Sequence, residues 1–187
     1  MKKKIICLGD SLTYGYPYGP RFSWVYYVAQ KTGLNLVNAG VNGDTLEDMA
    51  RRFERDVAAR EPAAVVILGG TNDAFCRDIS IAETLYYLKE MLRRAREKEI
   101  EPIIGLPIPV DDPVAGPKLE RISLSYREVA GRAQLVVLDF ATPFFVDPVS
   151  KSLRQELYLD CVHPNQKGYE VMGETALVFF SSWISKK

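Results

Sequence analysis

The sequence predicts an α/β protein built on a parallel sheet with crossover helices, and three observations predict it. Apolar runs of strand length recur at residues 4–8, 34–37, 63–68, 102–106 and 135–138. Helix-period patterns stand between them, the alternation that strands joined by helical crossovers produce. Several of the runs stop abruptly in glycine and small polar residues, as at Gly9-Asp10-Ser11, Asn38-Ala39-Gly40 and Gly69-Gly70-Thr71. In open parallel sheets the rim at the carboxyl ends of the strands is where ligands bind.

Taken in order, the first run, Ile5-Ile6-Cys7-Leu8, reads as a buried strand. Phe22, Val25, Val28 and Ala29 share one helical face behind it, and Gly33 suits the helix stop. After the second run, Thr45 stands where a cap belongs. Leu46, Met49, Ala50, Phe53 and Val57 then repeat at the 3.6-residue period. Ser80 and Glu83 form a capping-box pattern ahead of the stripe Ile81, Leu85, Leu88, Met91, Leu92 and Ala95. Past the fourth run, Pro107, Pro109, Pro113 and Pro117 stiffen a loop that is either a lid or an ordinary surface connection. The next helix buries Leu119, Ile122, Tyr126, Val129 and Ala130. A last helix is expected from near Pro164 towards Trp183, with Tyr169, Met172, Ala176, Phe179 and Phe180 inward.

The 187 residues fit one domain, 1–187, with no internal repeat or linker. Lys+Arg and Asp+Glu balance at 24 each, which implies neither nucleic acid nor an anionic membrane surface as a partner. No apolar run approaches the ~18 residues of a membrane span, so no stable membrane anchor is expected. The four apolar residues behind Met1-Lys2-Lys3-Lys4 are too few for a signal peptide. Cys7, Cys76 and Cys161 form no C-x-x-C pair, and with an odd count the expected compartment is the reducing cytoplasm. With one histidine and no clustered ligands, neither a metal nor another cofactor is expected. Oligomeric state is left open.

Ser11 is the candidate nucleophile, because the first strand delivers its hydroxyl to the sheet rim. The same turn also suits phosphate binding or simple helix capping. His163 is the only histidine, so a serine served by an imidazole must use it. Asp160, three residues earlier, is spaced to hold Nδ1 and leave Nε2 free to accept a proton; otherwise the pair is turn and cap chemistry. Gly43, in the loop after the second strand, offers a backbone N–H to an oxyanion, and Asn72, after the third, offers a side-chain amide. Ordinary turn chemistry explains either residue as well.

Together the blocks Gly9-Asp10-Ser11-Leu12, Asn38-Ala39-Gly40-Val41-Asn42-Gly43, Gly70-Thr71-Asn72-Asp73 and Asp160-Cys161-Val162-His163-Pro164 resemble the SGNH hydrolase superfamily, also called the GDSL esterase/lipase family. The resemblance spans nearly the whole chain. It implies a flavodoxin-like three-layer α/β/α sandwich with a five-stranded parallel sheet in the order 2-1-3-4-5. It also implies a catalytic triad of Ser11, His163 and Asp160, an oxyanion hole from Ser11, Gly43 and Asn72, and small-molecule ester substrates. Acetyl-carbohydrate esters, lysophospholipids, thioesters and aryl esters all fall within the family. Two other readings stay open, an acyltransferase with the same triad and a non-catalytic flavodoxin-like phosphate- or nucleotide-binding module. An ordinary α/β-hydrolase is disfavoured, because its elbow G-x-S-x-G fails where Thr13 stands in place of the last glycine. Tyr14, Tyr16, Tyr18, Phe22, Phe75, Leu157, Tyr158 and Leu159 surround the motifs in sequence, either lining a cleft or packing the loops.

Overall fold

A computed structural model of the chain describes residues 4–147 and 149–185. Five parallel strands, β1 (Lys4–Gly9), β2 (Asn35–Gly40), β3 (Ala64–Leu68), β4 (Glu101–Leu106) and β5 (Val137–Asp139), form one sheet in the order β2-β1-β3-β4-β5. Its helices are α1 (Ser11–Tyr14), α2 (Trp24–Thr32), α3 (Leu46–Asp56), α4 (Thr71–Phe75), α5 (Ile81–Glu97), α6 (Ala115–Ala133) and α7 (Gln166–Ser185). A short antiparallel hairpin, β6 (Phe145–Asp147) and β7 (Ser152–Leu153), precedes the last helix.

The three layers follow from side-chain alternation along strands buried on both faces. Ile6, Leu8, Val65, Ile67 and Ile104 point to one face and meet the apolar stripes of α3, α5 and α6, including Phe53, Met91 and Ile122. Ile5, Cys7, Val66, Leu68 and Ile103 point to the other and meet α2 and α7 through Trp24, Val28, Met172 and Phe180. Each fully buried large side chain of this kind stabilises the fold by about 1.5–3 kcal/mol. The chain moves outward from β1 to β2, then crosses back to β3 on the opposite side of β1. That reversal opens a crevice at the carboxyl ends of β1 and β3.

Five local features depart from the sequence pattern. β2 runs on through Asn38, Ala39 and Gly40, because Gly40 sits in register with Gly9 where a side chain has no room: a Cβ there would lie 2.2 Å from the Tyr14 nitrogen. Phe22 lies outside α2 and is exposed, while Ser23 caps the helix and the buried aromatic is Trp24. Pro164 is not in the last helix either. It forms an isolated antiparallel bridge with Tyr158, and Asn165 caps α7, its Oδ1 accepting from the Gly168 N–H at 3.0 Å. The closed capping box is at Thr45–Asp48, whereas Ser80 accepts from the Glu83 amide. The loop after β4 is partly core, with Ile108 and Val110 buried.

Candidate active site

The first strand ends in a tight helical turn. The Asp10 carboxylate caps it, Oδ1 accepting from the Leu12 N–H at 2.9 Å, and Ser11 occupies the first helical position. There its own N–H has no preceding carbonyl to bind, as at every helix start.

His163 arrives from the other end of the chain on a loop shaped by Asp160. Asp160 Oδ1 accepts from the Val162 and His163 amides at 2.7 and 2.6 Å, folding the four residues back on themselves. Oδ2 lies 2.9 Å from His163 Nδ1, and His163 Nε2 lies 3.2 Å from Ser11 Oγ. With the ring proton on Nδ1 donated to Asp160, Nε2 is left to accept from the serine hydroxyl. Burial opposes ionisation of Asp160, but the His163 amide and ring and the Val162 amide outweigh it and hold the carboxyl below its usual range. The loop after β4 braces this arrangement: the Asp111 N–H donates to the Cys161 carbonyl at 2.8 Å and the Tyr158 hydroxyl to the Pro109 carbonyl at 2.7 Å.

After β2, Gly43 adopts φ +84°, a left-handed conformation that favours glycine, in an exposed turn ahead of α3. Asn72, in the short helix after β3, donates through Nδ2 to the carbonyl of Asp44 at 2.9 Å. Its amide has a second N–H, so one side chain can hold the Gly43–Asp44 turn and still offer a donor. Asp73 strengthens the same tie, its carboxylate accepting from the Leu46 N–H at 3.1 Å. Arg52 lies beneath the turn, its side chain only 10 % exposed. It donates to Asp44 Oδ2 (2.6 Å), Asp56 Oδ2 (3.0 Å), and the Ala39 and Gly9 carbonyls (2.9 Å each). Thus the serine, histidine and aspartate form one hydrogen-bonded chain, and the glycine and asparagine belong to two neighbouring loops tied to each other. Arg52 had no motif to mark it, since a charged residue on an amphipathic helix reads as solvated.

Asp10 is the other group missed in the sequence. It is fully buried, and its Oδ2 has no hydrogen-bond partner among the described residues. Burial pushes its carboxyl up to about 7, opposed by the Leu12 amide and reinforced by Asp73 and Asp44. The folded state therefore holds this proton where the unfolded chain, near pKa 3.9, has lost it, so the group's contribution to stability falls as pH rises from about 4 to about 7. Asp10→Asn carries no such charge. Its stability relative to the wild type is expected to rise by on the order of 2–4 kcal/mol over that window and to level off above it. Urea unfolding at a series of pH values measures this, and a pH-independent difference would contradict it.

A 2-1-3-4-5 sheet with a serine–histidine–aspartate chain at its carboxyl rim defines a three-layer α/β/α hydrolase. The family model of the GDSL-like Lipase/Acylhydrolase family matches residues 7–171, and the chain belongs to that family of ester-cleaving enzymes. Thioesterase 1/protease 1/lysophospholipase L1 of Escherichia coli (strain K12) is 25% identical over 185 residues, covering 98% of this chain and 82% of that protein. The uncharacterised lipoprotein YqeF of Bacillus subtilis (strain 168) is 30% identical over 118 residues, 57% of this chain, and the match spans only about half (49%) of that protein. Among solved structures, the lipase/acylhydrolase from Enterococcus faecalis superposes with a TM-score of 0.83 at 27% identity, covering 97% of this chain and 96% of that one.

Proposed function

We propose that the chain hydrolyses carboxylic esters of small acyl groups, aryl and acetyl-sugar esters among them, through an acyl-enzyme on Ser11. The observation that carries this reading is the continuous path from Asp160 Oδ2 to His163 Nδ1 (2.9 Å) and from His163 Nε2 to Ser11 Oγ (3.2 Å). Ser11 Oγ attacks the ester carbonyl while His163 Nε2 takes its proton. Asp160 holds the ring and stabilises the imidazolium that forms. The Ser11 and Gly43 N–H groups and the Asn72 amide receive the oxyanion. Collapse of the tetrahedral adduct expels the alcohol, which leaves with the proton from His163. Water, deprotonated by His163, then releases the acid.

Exposed apolar side chains stand beside the motif residues: Val41, Phe75 and Leu159. Such surface favours a compact apolar or ring-bearing substrate. The name of the E. coli relative adds thioesters and lysophospholipids to the substrates worth testing. The test is a series of p-nitrophenyl esters from acetate to laurate, acetylated xylo-oligosaccharide, an acyl thioester and a lysophospholipid. The short and acetylated esters are expected to give the highest kcat/KM; a preference for laurate or lysophospholipid overturns the substrate class. Failure of a fluorophosphonate probe to label Ser11, with no ester cleaved, overturns the mechanism.

Asn72→Ala is expected to lower kcat by roughly 10²–10³-fold, the usual effect of losing one oxyanion donor. Because the same side chain holds the Asp44 carbonyl, Asn72→Asp, which keeps the shape and loses the donor, is expected to do no better. Wild-type turnover in either variant would remove Asn72 from the mechanism.

A further inference from the structure

Besides its triad partners Asp160 and Ser11, the His163 ring touches a group outside the triad. The Asp160 side chain is 46 % exposed and that of His163 21 %, so water competes for the hydrogen bond between them. A hydrogen bond this open to solvent holds a ring weakly. The ring of Tyr16 lies against the imidazole, with centroids 4.7 Å apart and planes inclined by 52°.

The backbone of Tyr16 is fastened to the nucleophile itself. Its N–H donates to the Ser11 carbonyl at 3.1 Å. The hydroxyl of Tyr169, a buried residue of α7, donates to the Tyr16 carbonyl at 2.8 Å and approaches the Ser11 carbonyl at 3.3 Å. One buried phenol on the helix that follows His163 therefore fixes both the serine and the residue that covers the histidine. Tyr16 itself, in contrast, is 40 % exposed, so its ring is not needed to complete the core.

We propose that Tyr16 is a positioning residue acting through His163: its ring confines the imidazole to the plane that joins Asp160 to Ser11 and stabilises the imidazolium formed in the transition state. The inference rests on His163 being the base. The ring face is negative, and attraction for a cation at this range corresponds to a rate effect of roughly 2- to 30-fold, larger as substrate displaces water. Because the imidazole is neutral before attack and charged in the transition state, the effect falls on kcat. The phenolic hydroxyl has no part in it.

The experiment compares Tyr16→Phe and Tyr16→Leu with wild type on p-nitrophenyl acetate, with His163→Ala alongside and circular dichroism as the check of folding. Tyr16→Phe is expected to keep kcat within about twofold, and Tyr16→Leu to lose roughly 10-fold in kcat with little change in KM. Wild-type kcat in Tyr16→Leu overturns the proposal. So does a loss confined to KM, which would make Tyr16 a substrate wall, or an equal loss in Tyr16→Phe, which would move the effect to the hydroxyl. An active His163→Ala removes the base reading itself, whereas an inactive His163→Ala beside a normal Tyr16→Leu removes only the role of Tyr16.

Discussion

Ser11→Ala, His163→Ala and the double variant are expected to lose the same activity, roughly 10⁶-fold in kcat, and not a product of two losses. The reason is that the two side chains share one proton across 3.2 Å. Without the imidazole the hydroxyl is a poor nucleophile at neutral pH; without the hydroxyl the imidazole has nothing to activate. What survives in all three variants is the contribution of the oxyanion donors and substrate binding. Asp160→Asn is expected to sit apart, at roughly 10⁴-fold. Its Oδ1 can still accept from the Val162 and His163 amides, so the loop keeps its shape. An amide N–H facing Nδ1, however, favours the tautomer that puts the proton on Nε2, where it cannot accept from Ser11. Single-turnover kinetics on p-nitrophenyl acetate measures the set. A double variant far below either single one would show that serine and histidine act independently.

The legible parts of this molecule are those whose physics is local or periodic. Two-sided burial wrote β1 and β3 as unbroken apolar runs, and the stripes of α3, α5 and α6 repeat at helical spacing. Three strand-end blocks and the one ahead of the last helix, recognised together, marked Ser11, Gly43, Asn72, Asp160 and His163 as the candidates. Where close approach or hydrogen bonding overrides composition, the pattern was silent. Gly40 reads as a turn residue yet is a strand residue, because the chain needs its missing Cβ against Tyr14. Pro164 reads as a helix start, yet Asn165 has the side-chain oxygen that satisfies an orphan amide. Tyr169 reads as core, and it is buried, but its hydroxyl does more than fill space. A sequence records that a phenol is apolar enough to bury; it does not record which carbonyls await it 158 and 153 residues away.

Arg52 makes the strongest case for a residue visible only in three dimensions. Arg52→Met is expected to destabilise the fold by about 3–5 kcal/mol, the range for breaking a buried charge pair by removing one partner. For a chain of this length that corresponds to a fall in Tm of roughly 10 °C. The loss is not mainly of attraction. Asp44, only 12 % exposed, is left with a charge that burial already disfavours, and the Gly9 and Ala39 carbonyls lose a donor where strand ends meet helix. Asp56 is better placed, because Arg55 chiefly holds its carboxyl down at about 2 and remains after the substitution. The expected signature is therefore recovery: adding Asp44→Asn to Arg52→Met should restore part of the lost stability by removing the stranded charge. Asp56→Asn should restore less. Differential scanning calorimetry on the three proteins decides it, and no recovery with Asp44→Asn would mean that the cost lies in the two carbonyls alone. Activity is expected to fall further than stability accounts for, since the Asp44 turn that Arg52 anchors is also the turn that the Asn72 amide grips.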